Sequence, residues 1–163
     1  MTKELTDQLI SLLTGAGIHA RAAHPASQAP RLSAPETTVS LATAAVVPAG
    51  LGQYLGAADD APTGPRAIYG RRLEAAFRLR VASPVSLGGA ACEAEADRVM
   101  DALLAGADGM TILEFSAEPY AYDHKTDCFL RAVTVKAAAQ LYTLGGTEAE
   151  ETVGDFTLEG NVH

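Results

Sequence analysis

Between Leu73 and Val81 the chain alternates with period two, placing Leu73, Ala75, Phe77, Leu79 and Val81 on one face and Glu74, Ala76, Arg78 and Arg80 on the other. Alternation of this length marks a strand with one face in a core and one in water. Downstream, Cys92, Ala96, Val99, Met100 and Leu103 recur at helical spacing and gather on one side of a helix. A half-buried strand followed directly by an amphipathic helix anchors an architecture of helix on sheet.

The rest of the chain extends this unit. Thr2 can cap a first helix in which Leu5, Leu9, Leu12 and Leu13 share a face, ending at Gly15 or Gly17. Residues 19–36 are rich in Ala, Ser and Pro, with Pro25, Pro30 and Pro35 spaced as in an extended connector. Val39, Leu41, Thr43, Ala45 and Val47 alternate into a strand closed by Pro48. From 48 to 72 neither period persists, and this stretch reads as a long loop. After the central strand, Pro84 and Gly88-Gly89 interrupt the pattern; Glu93 and Glu95 then place negative charge in the first turns of the second helix, which ends near Gly106 and Gly109.

Met110 to Phe115 and Phe129 to Leu141 read as strands joined by a polar connection, and therefore as a hairpin; Phe129, Arg131, Val133, Val135, Ala137, Ala139 and Leu141 share one face. Phe156, Leu158, Gly160 and Val162 alternate as a terminal strand. Strands following one another through turns give the class α+β: a mainly antiparallel sheet, two helices packed on one face, a long loop between the first two strands, and a single domain over 1–163.

Composition narrows the function. The chain has no Trp and only 6% aromatic residues, which leaves few platforms for stacking bases. A formal charge of −8 disfavours phosphate backbones and anionic membranes. The charges are segregated: Arg66, Arg71, Arg72, Arg78 and Arg80 lie close together, whereas Glu148, Glu150, Glu151, Asp155 and Glu159 crowd the other end. Two solvated faces explain this, and so do complementary edges that meet between subunits. Cys92 and Cys128 do not make a disulfide framework, and no apolar run is long enough for a signal peptide or a membrane span, so the expected setting is a reducing cytosol.

Chemical motifs are sparse. Asp123, His124, Asp127 and Cys128 form the densest group of acid-base or metal-ligand candidates, but a zinc site needs a second short-spaced pair, and turn formation explains the two aspartates. Ser83 and Ser86 lack a nucleophile elbow. Asp59-Asp60 and Glu148-Glu150-Glu151 read as solvated charge, and Gly50-x-Gly52 and Gly64 to Gly70 match neither a Walker loop nor a dinucleotide fingerprint. The long loop is more suggestive. It carries Leu51, Tyr54, Leu55, Ile68 and Tyr69, side chains that must either meet a partner or fold back onto the parent domain.

Taken with this element order, Pro48 to Gly56, the pair Tyr69-Gly70, the helix Cys92 to Leu104, and Tyr120 to Asp123 leading into Cys128 to Val133 resemble the tail-terminator and tail-completion proteins of tailed bacteriophages and related contractile particles. The resemblance implies a non-enzymatic virion protein without metal or cofactor. It would form a homo-oligomeric ring, commonly a hexamer, that caps the head-proximal end of the tail tube and joins it to the head connector. Such a protein would be assembled in the bacterial cytoplasm, with no membrane and no specific nucleic acid as partner, although DNA would pass through the ring. On this reading the subunit or tube interface draws on Leu51, Tyr54, Leu55, Arg66, Tyr69, Arg71, Arg72, Arg78, Arg80, Tyr120 and Tyr122. The alternatives are a neighbouring head-tail connector protein, or a small α+β enzyme or ligand- or metal-binding domain using Asp123, His124 and Asp127.

Overall fold

The alternating segment lies within a much longer strand. In a computed structural model, which describes residues 2–23, 32–49, 53–60 and 64–144, it belongs to β4, Gly64–Pro84. The preceding elements are α1 (Thr2–Gly15), β1 (Ala20–Ala22), β2 (Glu36–Pro48) and β3 (Tyr54–Asp60); α2 (Gly88–Ala105), β5 (Thr111–Ala117), β6 (Ala121–Asp123) and β7 (Cys128–Leu144) follow. They build an α+β fold around a seven-stranded sheet of order β1-β2-β4-β7-β5, with β3 paired to β4 and β6 to β7. Among the described residues only β1 and β2 run parallel, and the other pairings are antiparallel.

The core lies between one sheet face and the helices. Leu73, Ala75, Phe77, Leu79 and Val81 of β4 and Val133, Val135, Ala137, Ala139 and Leu141 of β7 are buried against Leu5, Leu9 and Leu13 of α1 and Cys92, Ala96, Val99 and Leu103 of α2. Full burial of each large apolar side chain stabilises the fold by about 1.5–3 kcal/mol relative to exposure. The other sheet face is lined by Arg78, Arg80, Thr134 and Lys136 and stays open to water. β4 and β7 pair without a bulge from Ile68↔Leu144 to Pro84↔Cys128, which makes this pair the spine of the molecule.

Several elements differ from the sequence reading, each for a local reason. The connector expected over 19–36 contributes a strand: β1 pairs with Thr37 to Val39, and β2 begins at Glu36. Glu36 is buried there beside the Arg21 guanidinium, whose Nη2 lies 2.5 Å from its carboxylate. Pro25 and Pro30 lie outside the described residues. Within β2 the pairing slips between Leu41 and Thr43, so Val39 and Thr43 do not share a face as a strict alternation would require.

The stretch expected as a loop over 48–72 consists largely of strand, with β3 returning as the first part of β4. Its Gly- and Ala-rich text hides the alternation, and its backbone is held by the ladder between β3 and β4. α2 starts at Gly88, where glycines suggested an interruption. Glycine suits the first turn because a Cβ at Gly89 would lie 2.6 Å from the Tyr120 ring. Glu95, expected to set negative charge against the helix dipole, is only 7% exposed and is paired to Arg98 at 2.7 Å. The hairpin of β5 and β7 forms as expected, whereas the alternation over 156–162 lies outside the described residues.

Candidate functional site

Past Leu73, toward its N-terminal end, β4 leaves the core. No described side chain among residues 53–57 or 67–72 is buried, so β3 and the start of β4 form an arm at one end of the sheet. Gly64 to Leu73 spans roughly 30 Å at about 3.3 Å per residue. At the root of the arm Gln53 adopts φ 64 and Gly56 φ 144, and the pairing slips between Tyr54 and Gly56. Tyr54 stands directly opposite Tyr69 in the ladder, and their rings meet edge-on with centroids 5.8 Å apart. Both rings remain about half exposed, at 49% and 47%. Leu55 does the opposite and lies across Gly70, folded onto its own sheet.

The cations are dispersed. Arg72 pairs with Glu74, Arg78 with Glu118 at 3.6 Å and Arg80 with Asp123 at 3.5 Å, while Lys136 meets Glu114 at 2.7 Å. The open sheet face is therefore a mesh of opposite charges and not a basic patch. Exposed pairs of this kind contribute little to stability, and their side chains can exchange partners readily. Arg71 sits opposite Leu141, on the face that the helices cover farther along. Arg66 pairs its backbone with Ala58. Leu51 lies outside the described residues.

At the far end of β4 a second aromatic group forms. Tyr120 and Tyr122 both contact Phe129, at centroid separations of 5.8 and 5.5 Å, and His124 packs edge-on to Tyr122 at 4.6 Å. Val85 and Leu87 of the short 3-10 turn before α2 are exposed, as are Tyr120 and Tyr122, and the Val85 N–H donates to the Asp127 carbonyl at 3.3 Å. The sequence reading named the tyrosines but passed over Val85, Leu87 and, on β2 opposite Leu73, exposed Val46; none of these three stands out from core-forming alternation until the strand ends are known.

The turn that carries His124 is committed to its own geometry. Asp123 accepts from Thr126 Oγ1 at 2.8 Å and from the Lys125 N–H at 3.1 Å, which holds its carboxyl below the ordinary aspartate range. The Tyr122 hydroxyl donates to Asp127, and that hydrogen bond raises the phenol above its ordinary value. Asp127 itself takes φ 53, the left-handed conformation that aspartate tolerates in turns. Burial pushes the Cys92 and Cys128 thiols up, away from nucleophilic character. Among the described residues no three His, Cys, Asp or Glu side chains converge as a metal site, and no helix is long and apolar enough to cross a membrane.

A groove of about 960 Å³ separates α1 from the end of α2 and the start of β5, lined by Glu4, Asp7, Leu12, Leu104, Asp108 and Ile112. It is broad and open, with an acidic rim. Thus the structure brings Tyr54, Leu55, Tyr69, Arg71 and Arg72 together in the arm, sets Arg78 and Arg80 along the open sheet face, and places Tyr120 and Tyr122 at the opposite end.

No family model matches the chain. No curated protein matches it either. Among solved structures it is similar to a chain of the virion of a native gene transfer agent particle, with 22% identity over 83% of this chain and 91% of that one, at a TM-score of 0.39.

Proposed function

We propose that this chain is a non-catalytic structural protein of a phage-like particle, specifically a tail terminator that closes into a ring, six-fold in the simplest case, at the head-proximal end of a tail tube and meets the head connector there. The observation that carries the reading is the arm. Beyond Ile68 the described residues of the arm are a two-stranded hairpin, marginal by itself in water, and at its root a pair of tyrosines stays about half exposed. A neighbouring copy supplies the missing contact.

A second apolar group, Val85, Leu87, Tyr120 and Tyr122, lies at the other end of β4. Pro84 is about 66 Å along the strand from Gly64 at about 3.3 Å per residue. Two unlike patches at opposite ends suit a heterologous contact, the kind that closes rings; a two-fold dimer would reuse one patch. The net charge of −8 suits a passage for DNA, because carboxylates repel phosphates. An acid-base or metal role for Asp123, His124 and Asp127 has less to stand on, since the turn already occupies both aspartates.

The test is the double variant Tyr54→Ser, Tyr69→Ser. Circular dichroism should match the parent, while sedimentation velocity and negative-stain microscopy, with and without a tail-tube protein, should show loss of rings. Undisturbed rings from a folded variant would refute the role of the arm.

A further inference from the structure

The groove of about 960 Å³ between α1, the end of α2 and the start of β5 presents one kind of chemistry. Its floor is apolar. Leu103 and Met110 are buried there, Leu12 and Ile112 are half-buried, and Leu104 is 72% exposed, more than any other large apolar side chain among the described residues. Its ionisable lining is wholly acidic: Glu4, Asp7 and Asp108, with no Lys, Arg or His. Asp7 and Asp108 make no ion pair among the described residues. α2 ends at this groove without a basic residue in its last turn, so no side chain of that turn offsets the negative end of its dipole. Gln8 Oε1 is buried in the α1 wall and finds no hydrogen-bond partner among the described residues. Each of these groups accepts a hydrogen bond or attracts a cation.

We infer that the groove docks a basic amphipathic helix of a different protein, with apolar side chains on its floor and Lys or Arg side chains against the acidic rim. A helix fits the wall. Glu4, Asp7, Gln8, Ser11 and Leu12 recur at helical spacing, a stripe of α1 distinct from the core-facing Leu5, Leu9 and Leu13. The stripe runs about 12 Å at about 1.5 Å per residue, a little over two turns. A second helix laid along it would bury Leu12, Leu104 and Ile112, the helix-in-groove mode of recognition.

No described helix of a second copy fits. α1 carries one cation, Lys3, and α2 one, Arg98, which is already held by Glu95 and the Gly17 carbonyl. Either helix would bring Asp and Glu against the rim, and like charges across an interface oppose it. Docking here is independent of ring assembly, which draws on the arm and the far end of β4.

A labelled Leu/Lys helical peptide is the probe, titrated against the full chain by fluorescence anisotropy. Saturable binding is expected, weakened at least about tenfold by Leu104→Ser and by Asp108→Lys. Both positions are exposed, so circular dichroism should match the parent. Glu93→Lys, the same change of charge at an exposed position nearer the start of α2, should leave the affinity unchanged. Equal losses from Glu93→Lys and Asp108→Lys would mean that net charge alone attracts the peptide, and would overturn the proposal. Equal binding of a Leu/Glu peptide, equal binding of a scrambled Leu/Lys peptide without an apolar face, or no binding at all overturns it as well. Sedimentation velocity of the chain alone covers the remaining case: self-association abolished by Leu104→Ser assigns the groove to a second copy, and the proposal fails.

Discussion

Leu55 and Gly70 fit together so closely that a Cβ placed on Gly70 would lie 2.6 Å from Leu55 Cδ1 and 2.1 Å from the carbonyl oxygen of Leu141. The contact pins β3 to the root of the arm and holds β4 against β7. It also settles the position of Leu55, an apolar side chain of the arm that the sequence could have sent to a partner.

Gly70→Val should therefore damage the arm before the core. The backbone oxygen cannot swing aside as a side chain would, so the β4–β7 ladder must shift, at a cost of about 1–3 kcal/mol. Urea unfolding monitored by circular dichroism should show a lowered midpoint. Hydrogen exchange should locate the loss at 54–60 and 64–72, with the amides of 73–84 nearly unchanged.

Arg98 ties together elements far apart in sequence. Its Nη1 meets buried Glu95 at 2.7 Å, and its Nη2 donates to the carbonyl of Gly17 at 3.0 Å, closing the end of α1 against α2. Arg98→Ala strands a carboxylate in the helix interface and removes the clasp. Because the guanidinium is itself half exposed, water softens the loss, and about 1–3 kcal/mol is expected. Adding Glu95→Gln to Arg98→Ala should recover part of the loss in thermal or urea unfolding, since no buried charge then remains.

The central strand and second helix were legible because their side chains face a core: Phe77, Leu79, Val99 and Leu103 leave a period in the sequence when one face is dry. The arm was not, since strand β3 reads Tyr-Leu-Gly-Ala-Ala-Asp-Asp, a text without alternation, and its described side chains, 54–57, bury no face. Parallel β1 escaped notice for its brevity and for the connector-like text around it; its anchor is a carboxylate, Glu36, and not an apolar pattern. Tyr54, Tyr69, Tyr120 and Tyr122 were legible as residues that need contacts. Their division between opposite ends was not, because it depends on how far β4 extends in each direction beyond the core.

Asp123 supplies a pH-dependent reporter of the turn before β7. Its carboxyl is held low first by the Thr126 hydroxyl and then by the Lys125 amide. With the folded-state value depressed, the stabilisation is present above the ordinary aspartate range and is lost as pH falls through the lowered value. Thr126→Val should move the Asp123 titration, followed by carboxyl-detected NMR, upward toward that range. An unchanged midpoint would mean that the Lys125 amide alone sets it.

The two-patch arrangement makes a prediction that single variants cannot. A subunit carrying Tyr54→Ser and Tyr69→Ser keeps its Val85–Leu87 end, and one carrying Val85→Asp and Leu87→Asp keeps its arm. Each alone should stay monomeric. If the arm of one copy engages the far end of the next, an equimolar mixture retains one good contact and should form heterodimers that cannot grow, because both remaining surfaces are damaged. Analytical ultracentrifugation would show a dimer boundary only in the mixture. A contact made by like patches would instead give dimers from one variant alone, since two intact arms, or two intact far ends, would then pair without the other variant.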